Sequence, residues 1–326
     1  MSGLRIAFFG TPGFAVPTLE ALLASRHPVV CAVSQPDRPR GRGRRPSPSP
    51  VARLARAQGL PLLQPERVGE AGAVAALGAH APDLGVVVAF GQFLPKRVRE
   101  LPRLGYCING HASLLPRHRG AAPIARAILA GDARTGISVM RVEREMDAGA
   151  VALQRALEIG DEETSGELEA RLAALCAECV ALAVDQIDAG LIRWSEQDAA
   201  GASHAPKIEK AEAALDFARP ARELALRVRA LAPAPGAVAL LDGEPLRILR
   251  ARWEAGSVDR APGRVRLASD GALRIATREG WLVPLSLQRA GGRPLDVAAF
   301  LRGRPIPDGT QLGAISPAAA TLGDRG

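Results

Sequence analysis

The chain has 326 residues, and its 42 Lys and Arg against 34 Asp and Glu give a formal net charge of +8. Hydrophobic residues make up 47% of it, which is enough for packed cores and excludes wholesale disorder. The sequence has neither a G-x-y period nor a heptad period, which excludes the collagen-like and coiled-coil classes. Its length favours two domains. The positive charge indicates either a polyanionic partner or a compositional bias, since only Lys96, Lys207 and Lys210 are lysines.

The compartment follows from what the chain lacks. No apolar run approaches the roughly 18–20 residues that a membrane-spanning helix needs, and Ile6–Phe9 is too short for a secretory signal. Cys176 and Cys179 form a single CxxC inside a helical stretch, which predicts packing thiols rather than a zinc site. We therefore expect a cytoplasmic protein that uses no metal and does not enter a membrane.

The first half alternates short apolar runs with helical patterns, which is typical of an open, mostly parallel, Rossmann-like α/β sheet. Ligands of such sheets bind beyond the carboxyl ends of the strands. Helices are predicted at Val16–Ser25, at Val51–Gln58 behind the N-cap Ser49, and at Thr164–Asp188 behind a capping box. The predicted strands are Leu4–Phe9, Val29–Val33, Asp83–Phe90, Tyr106–Asn109 and Gly136–Val142.

The texture changes after residue 189, where helical periodicity gives way to Ser, Gln, Asp and Gly. A helix at Ala221–Leu231 is followed by short apolar runs separated by turn signals such as Asp242-Gly243, a pattern that favours an OB-like β-barrel. We expect a catalytic domain over 1–189, a linker over 190–208, a barrel domain over 209–316 and a mobile tail over 317–326. The five predicted barrel strands are Val238–Leu241, Leu246–Ala251, Gly263–Ala268, Leu273–Ala276 and Leu282–Leu287.

The segment Gln35–Pro50 concentrates arginine among proline and glycine. Its composition argues against a packed helix or strand and predicts a long, mobile, cationic loop. Arginines on such a loop suit phosphate and base-edge contacts, with a solvated charge run as the alternative. They are Arg38, Arg40, Arg42, Arg44 and Arg45.

The segment Tyr106–Pro123 carries the most informative polar pattern. Asn109 and His111 lie two residues apart on a predicted strand, so their side chains share one face at its carboxyl end. An amide and an imidazole there can stabilise an oxyanion and move a proton, and Asp147, in the loop after the next strand, is the candidate third group. A structural Asn-x-His is the alternative interpretation.

At these residues the chain resembles the methionyl-tRNA formyltransferase family, part of the wider formyltetrahydrofolate transferase superfamily. The resemblance runs nearly end to end. One matching block is Ser-Leu-Leu-Pro-Arg-x-Arg-Gly-Ala-Ala-Pro-Ile at 113–124. Its Ser-Leu-Leu-Pro part and the Asn-x-His are shared by the wider superfamily, whereas the Arg-Gly-Ala-Ala-Pro-Ile continuation, the arginine loop and the second domain narrow the resemblance to the tRNA enzyme. Further matching blocks lie at 5–15, 35–43, 48–51, 86–91, 146–149, 205–208 and 285–288.

The resemblance implies transfer of formyl from 10-formyltetrahydrofolate to the amine of initiator methionyl-tRNA, for translation initiation. Asn109 and His111 would stabilise the oxyanion, and Asp147 would assist proton transfer. The implied folate-binding residues are Val88, Ala89, Phe90, Gly91, Leu94, Ser113, Leu114, Leu115 and Pro116. The arginine loop, Lys207 and the barrel domain would contact tRNA, and a monomer would suffice to clasp it.

The chain departs from the family pattern at several positions, among them Gly110, where an aliphatic residue is usual and a glycine is expected to loosen the strand. These departures leave Asn109, His111 and Asp147 intact. They are Gly110, His118, Ala150, His204, Ala232 and Ala234.

Two other hypotheses stay in view. The first is a formyltransferase for a small amine, against which the arginine loop and the barrel argue. The second is an RNA-binding protein without catalysis, against which the intact Asn109, His111 and Asp147 argue.

Overall fold

The protein is described by a computed structural model that covers residues 3–40, 45–268 and 271–314. The chain forms two compact units. The first comprises the described parts of Met1–Pro123, Arg134–Glu158 and Glu169–Ala205, and the second comprises Ile124–Ala133, Ile159–Leu168 and the described part of Pro206–Gly326. The second unit thus takes two short segments from the part of the chain before residue 169. The predicted tail over 317–326 lies outside the described residues.

Residues 3–205 contain nine strands and six α-helices within their described part. The strands are β1 (Ile6–Gly10), β2 (Val29–Val33), β3 (Arg38–Arg40), β4 (Arg45–Ser47), β5 (Leu62–Leu63), β6 (Leu84–Val88), β7 (Cys107–His111), β8 (Arg134–Arg141) and β9 (Val151–Glu158). The helices are α1 (Val16–Leu23), α2 (Pro50–Ala57), α3 (Ala71–Ala79), α4 (Lys96–Arg99), α5 (Pro123–Leu129) and α6 (Ser165–Asp188).

Seven of these strands form one sheet in the order β5-β2-β1-β6-β7-β8-β9. The pairs from β5 to β7 are parallel, and β8 and β9 add an antiparallel edge. The predicted mostly parallel Rossmann-like sheet is therefore confirmed. β6 is buried on both faces, as the unbroken apolar run of a central strand requires.

Two predicted helix starts are confirmed by their capping hydrogen bonds. The Ser49 hydroxyl accepts a hydrogen bond from the N–H of Ala52 at 3.0 Å, with Pro50 as the first helical residue of α2. At the start of α6, the N–H of Thr164 donates to the Glu167 carboxylate at 3.0 Å, and the N–H of Glu167 donates to the Thr164 hydroxyl at 3.4 Å. These reciprocal bonds satisfy donors that a helix N-terminus otherwise leaves free.

The arginine segment differs from its prediction. β3 and β4 pair antiparallel as a separate two-stranded ribbon, so the expectation that no strand forms here was wrong. Pro39 faces Pro46 across the ribbon. A two-stranded ribbon needs no hydrogen bonds on its outer edges, which is where a residue without an N–H is tolerated. Arg42 and Arg44 lie outside the described residues.

The second unit is built on an antiparallel sheet packed against α7 (Ala221–Leu231), as predicted. Its strands, followed by α8 (Val297–Gly303), are β10 (Ala237–Leu241), β11 (Glu244–Glu254), β12 (Val265–Leu267), β13 (Leu273–Ala276), β14 (Trp281–Arg289) and β15 (Leu295–Asp296). The main strand order is β10-β11-β14-β13-β12, and β15 pairs with β14. The short β15 and α8 were missed from the sequence.

The sheet of the second unit closes on itself through the segment 311–313. Gly313 pairs with Leu240 of the edge strand β10, and Gln311 pairs with Arg264 beside the other edge strand, β12. Joining both edges removes the exposed strand borders, which is the defining property of a barrel. Leu224 and Val228 of α7 are fully buried in the core of this unit. No helix in the described parts of either unit is long and apolar enough to cross a membrane.

Candidate active site

The carboxyl ends of the parallel strands β6 and β7 carry residues that the sequence singled out, Phe90 and His111. Thr11 follows β1, Phe90 follows β6, and His111 is the last residue of β7. The Thr11 hydroxyl donates to the Phe90 carbonyl at 2.8 Å, which ties the first two strand ends together. In the strand order, β2 lies on one side of β1, whereas β6 and β7 lie on the other, so the order reverses between β1 and β6. The carboxyl edge beside such a switch point is where open α/β sheets bind ligands.

The structure brings His111 and Asp147 together. Nδ1 of His111 lies 3.6 Å from Oδ2 of Asp147, and both side chains are largely buried, with 7% and 14% exposure. The other ring nitrogen, Nε2, lies 2.9 Å from the carbonyl oxygen of His118. A carbonyl only accepts, so Nε2 carries the proton and donates, a tautomer assigned from this bond. Nδ1 is then the nitrogen that can take up a proton beside the carboxylate.

Asp147 occupies a constrained backbone position. Its φ is +52°, in the left-handed region that side-chain-bearing residues rarely adopt. Its Oδ2 accepts a hydrogen bond from the N–H of Gly120 at 2.8 Å. A backbone donor therefore holds the same carboxylate oxygen that faces His111.

Asn109 lies in the middle of β7, where it pairs with Val87 on one side and Met140 on the other. Its side chain is half-buried and makes no hydrogen bond with any residue that the structure describes. Because it shares a strand face with His111, its amide is available to a ligand at the same edge of the sheet.

Gly110, between these two residues, has a packing reason. A Cβ there would lie 2.5 Å from Sγ of Cys176 and 3.0 Å from Cγ2 of Val180, both on α6. The glycine allows the helix to approach the strand, so the expectation of a loosened strand is not supported. Burial raises the pKa of the Cys176 thiol to about 12 and that of Cys179 to about 11, as suits packing thiols.

The loop Ser113–Pro116 is braced by two side chains that sequence reasoning missed. The buried Ser138 hydroxyl donates to the Ser113 carbonyl at 2.7 Å and accepts from the Leu115 N–H at 3.0 Å. The Gln154 amide donates to the Leu115 carbonyl and to the Ser138 hydroxyl, both at 2.8 Å. Their sequence signal is faint, because Ser138 on β8 and Gln154 on β9 stand among other polar and charged residues of the same strands.

The turn after β6 exposes backbone at the same edge. Ala89 and Gly91 both have positive φ, +46° and +82°, and both are exposed, whereas Phe90 and Leu94 are buried. A Cβ at Gly91 would lie 2.3 Å from Nε2 of Gln35, an atom that donates to the Phe90 carbonyl at 3.1 Å. Glycine is thus required at 91, and the turn presents peptide groups rather than side chains to a ligand.

The predicted tRNA contacts are divided between the units. Arg38, at the base of the ribbon in the first unit, pairs with Glu66 at 2.7 Å, and both side chains are well exposed. Lys207 belongs to the second unit, where its side chain is exposed and its carbonyl accepts from Arg126 at 3.1 Å. The described parts of the chain hold no group of three or more His, Cys, Asp or Glu side chains placed for a metal ion.

Comparison with known proteins identifies the family of the chain. The family model for formyl transferase matches residues 4–184, and the model for the formyl transferase C-terminal domain matches residues 207–305. A methionyl-tRNA formyltransferase of Chromohalobacter salexigens is 48% identical over 95% of this chain and 97% of that protein. The chain belongs to the methionyl-tRNA formyltransferase family. A methionyl-tRNA formyltransferase of Paracoccus denitrificans is 47% identical over 94% of this chain and 99% of that protein.

Solved structures share the fold of this methionyl-tRNA formyltransferase family member. WlaRD, a sugar 3N-formyl transferase crystallised with dTDP and 5-N-formyl-THF, has a TM-score of 0.64 at 14% identity, covering 89% of this chain and 99% of its own. HypX from Aquifex aeolicus, in complex with tetrahydrofolic acid, has a TM-score of 0.62 at 20% identity. That match covers 92% of this chain and 47% of HypX.

Proposed function

We propose that the chain transfers the formyl group of 10-formyltetrahydrofolate to the α-amino group of methionine on initiator methionyl-tRNA, for translation initiation. One observation carries the proposal: a chain of this family places the imidazole of His111 3.6 Å from the Asp147 carboxylate at the ligand edge of its sheet. Asn109 stands two residues before His111 on the same strand face. No metal is needed for this chemistry, because amide, imidazole and carboxylate supply its hydrogen bonds and proton transfers.

In the proposed mechanism the methionyl amine attacks the formyl carbon, and the bond from that carbon to N10 of the folate breaks. Negative charge gathers on the formyl oxygen, where the Asn109 amide donates a hydrogen bond. One such donor is worth about 2.7–4 kcal/mol in other enzymes. His111 donates as well once Nδ1 is protonated, and Asp147 stabilises that charged imidazole. The proton of the amine passes to Asp147, directly or through water, and is returned to N10 as the bond to the formyl carbon breaks, so tetrahydrofolate leaves with an N–H.

The residues at the sheet edge fit a folate. The exposed backbone at Ala89 and Gly91 offers peptide donors and acceptors to the edge of a pterin, with buried Phe90 and Leu94 as apolar support. The braced loop of Ser113, Leu114, Leu115 and Pro116, with Val88 at the end of β6, completes the proposed site. The bound donor supplies an activated formyl group.

The tRNA is proposed to be held by charge. Arg38, Arg40 and Arg45 lie on the β3–β4 ribbon, and Arg42 and Arg44 are proposed to contact the acceptor end with them. Lys207 and a barrel domain over 209–316, following a linker over 190–208, would bind the rest. Cationic residues that contact phosphates make affinity strongly dependent on salt. All residues of the proposed mechanism belong to one chain, so we propose that the protein acts as a cytoplasmic monomer.

A formylation assay tests the proposal. Purified protein is given the formyl donor with initiator methionyl-tRNA, elongator methionyl-tRNA or a small amine such as a nucleotide aminosugar. We expect turnover with the initiator tRNA alone. Turnover of the small amine without tRNA would indicate the small-amine enzyme instead. Binding of tRNA without any turnover would indicate an RNA-binding protein without catalysis.

A salt titration tests the electrostatic part separately. The logarithm of the tRNA affinity should fall steeply with the logarithm of the salt concentration, and Arg38→Ala should lower that slope by about one. Arg134→Ala is the control, since Arg134 is similarly exposed and ion-paired, with Glu158, but lies outside the ribbon. An affinity that does not respond to salt contradicts this part of the proposal.

A further inference from the structure

We propose that Gln197 is a positioning residue for Asp147 and that Arg119 fixes Gln197 in that role. The inference rests on the proposed function, because it assigns how one of the proposed catalytic residues is held. The sequence assigned a role to neither residue, although Arg119 lies in the matching block at 113–124.

The Gln197 side-chain amide is fully used. Its Nε2 donates to the carbonyl oxygens of Asp147 and Gly149, both at 2.8 Å. Its Oε1 accepts from Nε of Arg119 at 3.1 Å and from Nη2 at 2.8 Å. A guanidinium only donates, so it fixes which end of the amide is oxygen and leaves both amide hydrogens for the two carbonyls. Arg119 is buried, with 7% exposure, and cannot swing away at little cost.

The loop that Gln197 holds is one that needs support. Asp147 stands at φ +52°, and a Cβ at Gly149 would lie 2.1 Å from the Arg141 carbonyl oxygen. Residues kept in sparsely populated backbone regions persist only where their surroundings over-determine them. The two bonds from one amide span this turn, and they constrain the Asp147–Ala148 and Gly149–Ala150 peptide groups.

Gln197 belongs to the segment 194–205, which we call the arm, and contacts at both ends of the arm hold it in place. At its start, Ser195 exchanges two backbone hydrogen bonds with Val151, at 2.8 and 2.9 Å. The ring of Trp194 packs 4.7 Å from the guanidinium of Arg141. Gln197 therefore follows a segment fastened to both β8 and β9.

The end of the arm is fastened to Arg119. The N–H of Arg119 donates to the Ser203 carbonyl at 2.8 Å, and the N–H of Ala205 donates to the Arg119 carbonyl at 2.6 Å. Arg119 thus holds the arm by its backbone and holds Gln197 by its side chain. The chain of contacts runs from Arg119 through Gln197 to the turn of Asp147, and from there to His111 and the N–H of Gly120.

Formyl transfer by the full chain tests this role through a double-mutant cycle. Gln197→Ala should lower kcat about 10- to 100-fold while KM for donor and tRNA changes less than about twofold, because orientation and not binding is lost. In an Asp147→Asn background, measured in single turnover, the same change should cost less than about threefold, since the group it orients is already disabled. Gln197→Glu keeps the acceptor for Arg119 but loses both donors, and should behave like the alanine variant.

Gln311 supplies the matched control, because its amide also donates to two carbonyls, those of Pro262 and Leu312, both at 3.0 Å. Gln311→Ala should give the same rate factor in both backgrounds. An equal loss from Gln197→Ala in both backgrounds, or an unchanged kcat, overturns the proposal. If the alanine variant does not fold, the Gln197→Glu cycle decides on the same criteria. Absence of turnover by the unmodified chain would refute the proposed function instead.

Discussion

Nδ1 of His111 faces Oδ2 of Asp147 at 3.6 Å, while the opposite ring nitrogen is held by a backbone carbonyl. This separation is longer than a hydrogen bond, so the two groups face each other without a direct hydrogen bond between them. This geometry leaves Nδ1 free to take a proton and Asp147 free to stabilise the result.

The first prediction concerns these two side chains. His111→Ala and Asp147→Asn should each lower kcat for formyl transfer by about 10²–10⁴, the usual contribution of a positioned acid or base. The measurement is initial rate against both substrates. His80→Ala is the control, because only the backbone carbonyl of His80 makes the contact with Arg5. Wild-type rates for both variants would remove these residues from the mechanism.

The placement of Asn109 and His111 at the carboxyl edge of the sheet could be predicted from the sequence, but the geometry that joins His111 to Asp147 could not. Asn109 and His111 stand at the end of a strand, and strand ends collect at one edge of a parallel sheet. The left-handed turn at Asp147 depends on Gln197, fifty positions later along the chain. A local pattern carries no information on a contact of that separation.

In the fold, too, some elements could be predicted from local sequence patterns and others could not. Local patterns predicted β2, α7 and β13 to the residue: an apolar run for β2, amphipathic helical periodicity for α7, and a short run bounded by turn signals for β13. The two-residue β5 and the partly exposed β9 were missed, since neither carries enough apolar periodicity. The β3–β4 ribbon was not predicted, because proline and arginine disfavour the interior of a sheet. A ribbon of two strands has no interior strand, so this rule does not apply to it.

The second prediction concerns the Ser138 brace. Ser138→Ala leaves the Ser113 carbonyl and the Leu115 N–H without their shared partner, at a cost of about 1–3 kcal/mol. If the loop binds the folate, KM for the formyl donor should rise about tenfold, and KM for tRNA should stay unchanged.

Ser25→Ala is its matched control. The Ser25 hydroxyl also donates to a carbonyl, that of Leu22, and accepts from a backbone N–H, that of His27. It lies away from the loop, so it should affect stability and not KM for the donor. Equal effects of both variants on that KM would show that the loop does not bind the donor.

The third prediction couples Gly110 to Cys176. Gly110→Ala should lower the free energy of unfolding by about 1–3 kcal/mol, because its Cβ would meet Sγ of Cys176 at 2.5 Å. Adding Cys176→Ala removes the clashing sulfur and should recover most of that loss, as read from urea denaturation. Gly72→Ala, in α3 with open space around its Cβ, should be neutral or stabilising. Strictly additive effects at 110 and 176 would contradict the proposed close approach.

The fourth prediction concerns acid stability and the pair of Arg126 and Glu212. Two hydrogen bonds of 2.6 and 2.8 Å join them, and this contact lowers the pKa of Glu212 below its usual 4.5. A carboxylate with a lowered folded-state pKa stabilises the fold above its unfolded pKa and loses that contribution as pH falls through the folded value. Glu212→Gln should therefore cost about 1 kcal/mol at pH 7.

That cost should shrink as pH falls below 4.5, because the protonated wild-type side chain then resembles the amide. Free energies of unfolding of both proteins from about pH 3 to about pH 7 give the comparison. Glu158→Gln serves as the control, since its pair with Arg134 is exposed on both sides and should contribute little at any pH. A difference that stays constant across this whole range would mean that Glu212 stabilises the unit by packing and not by its charge.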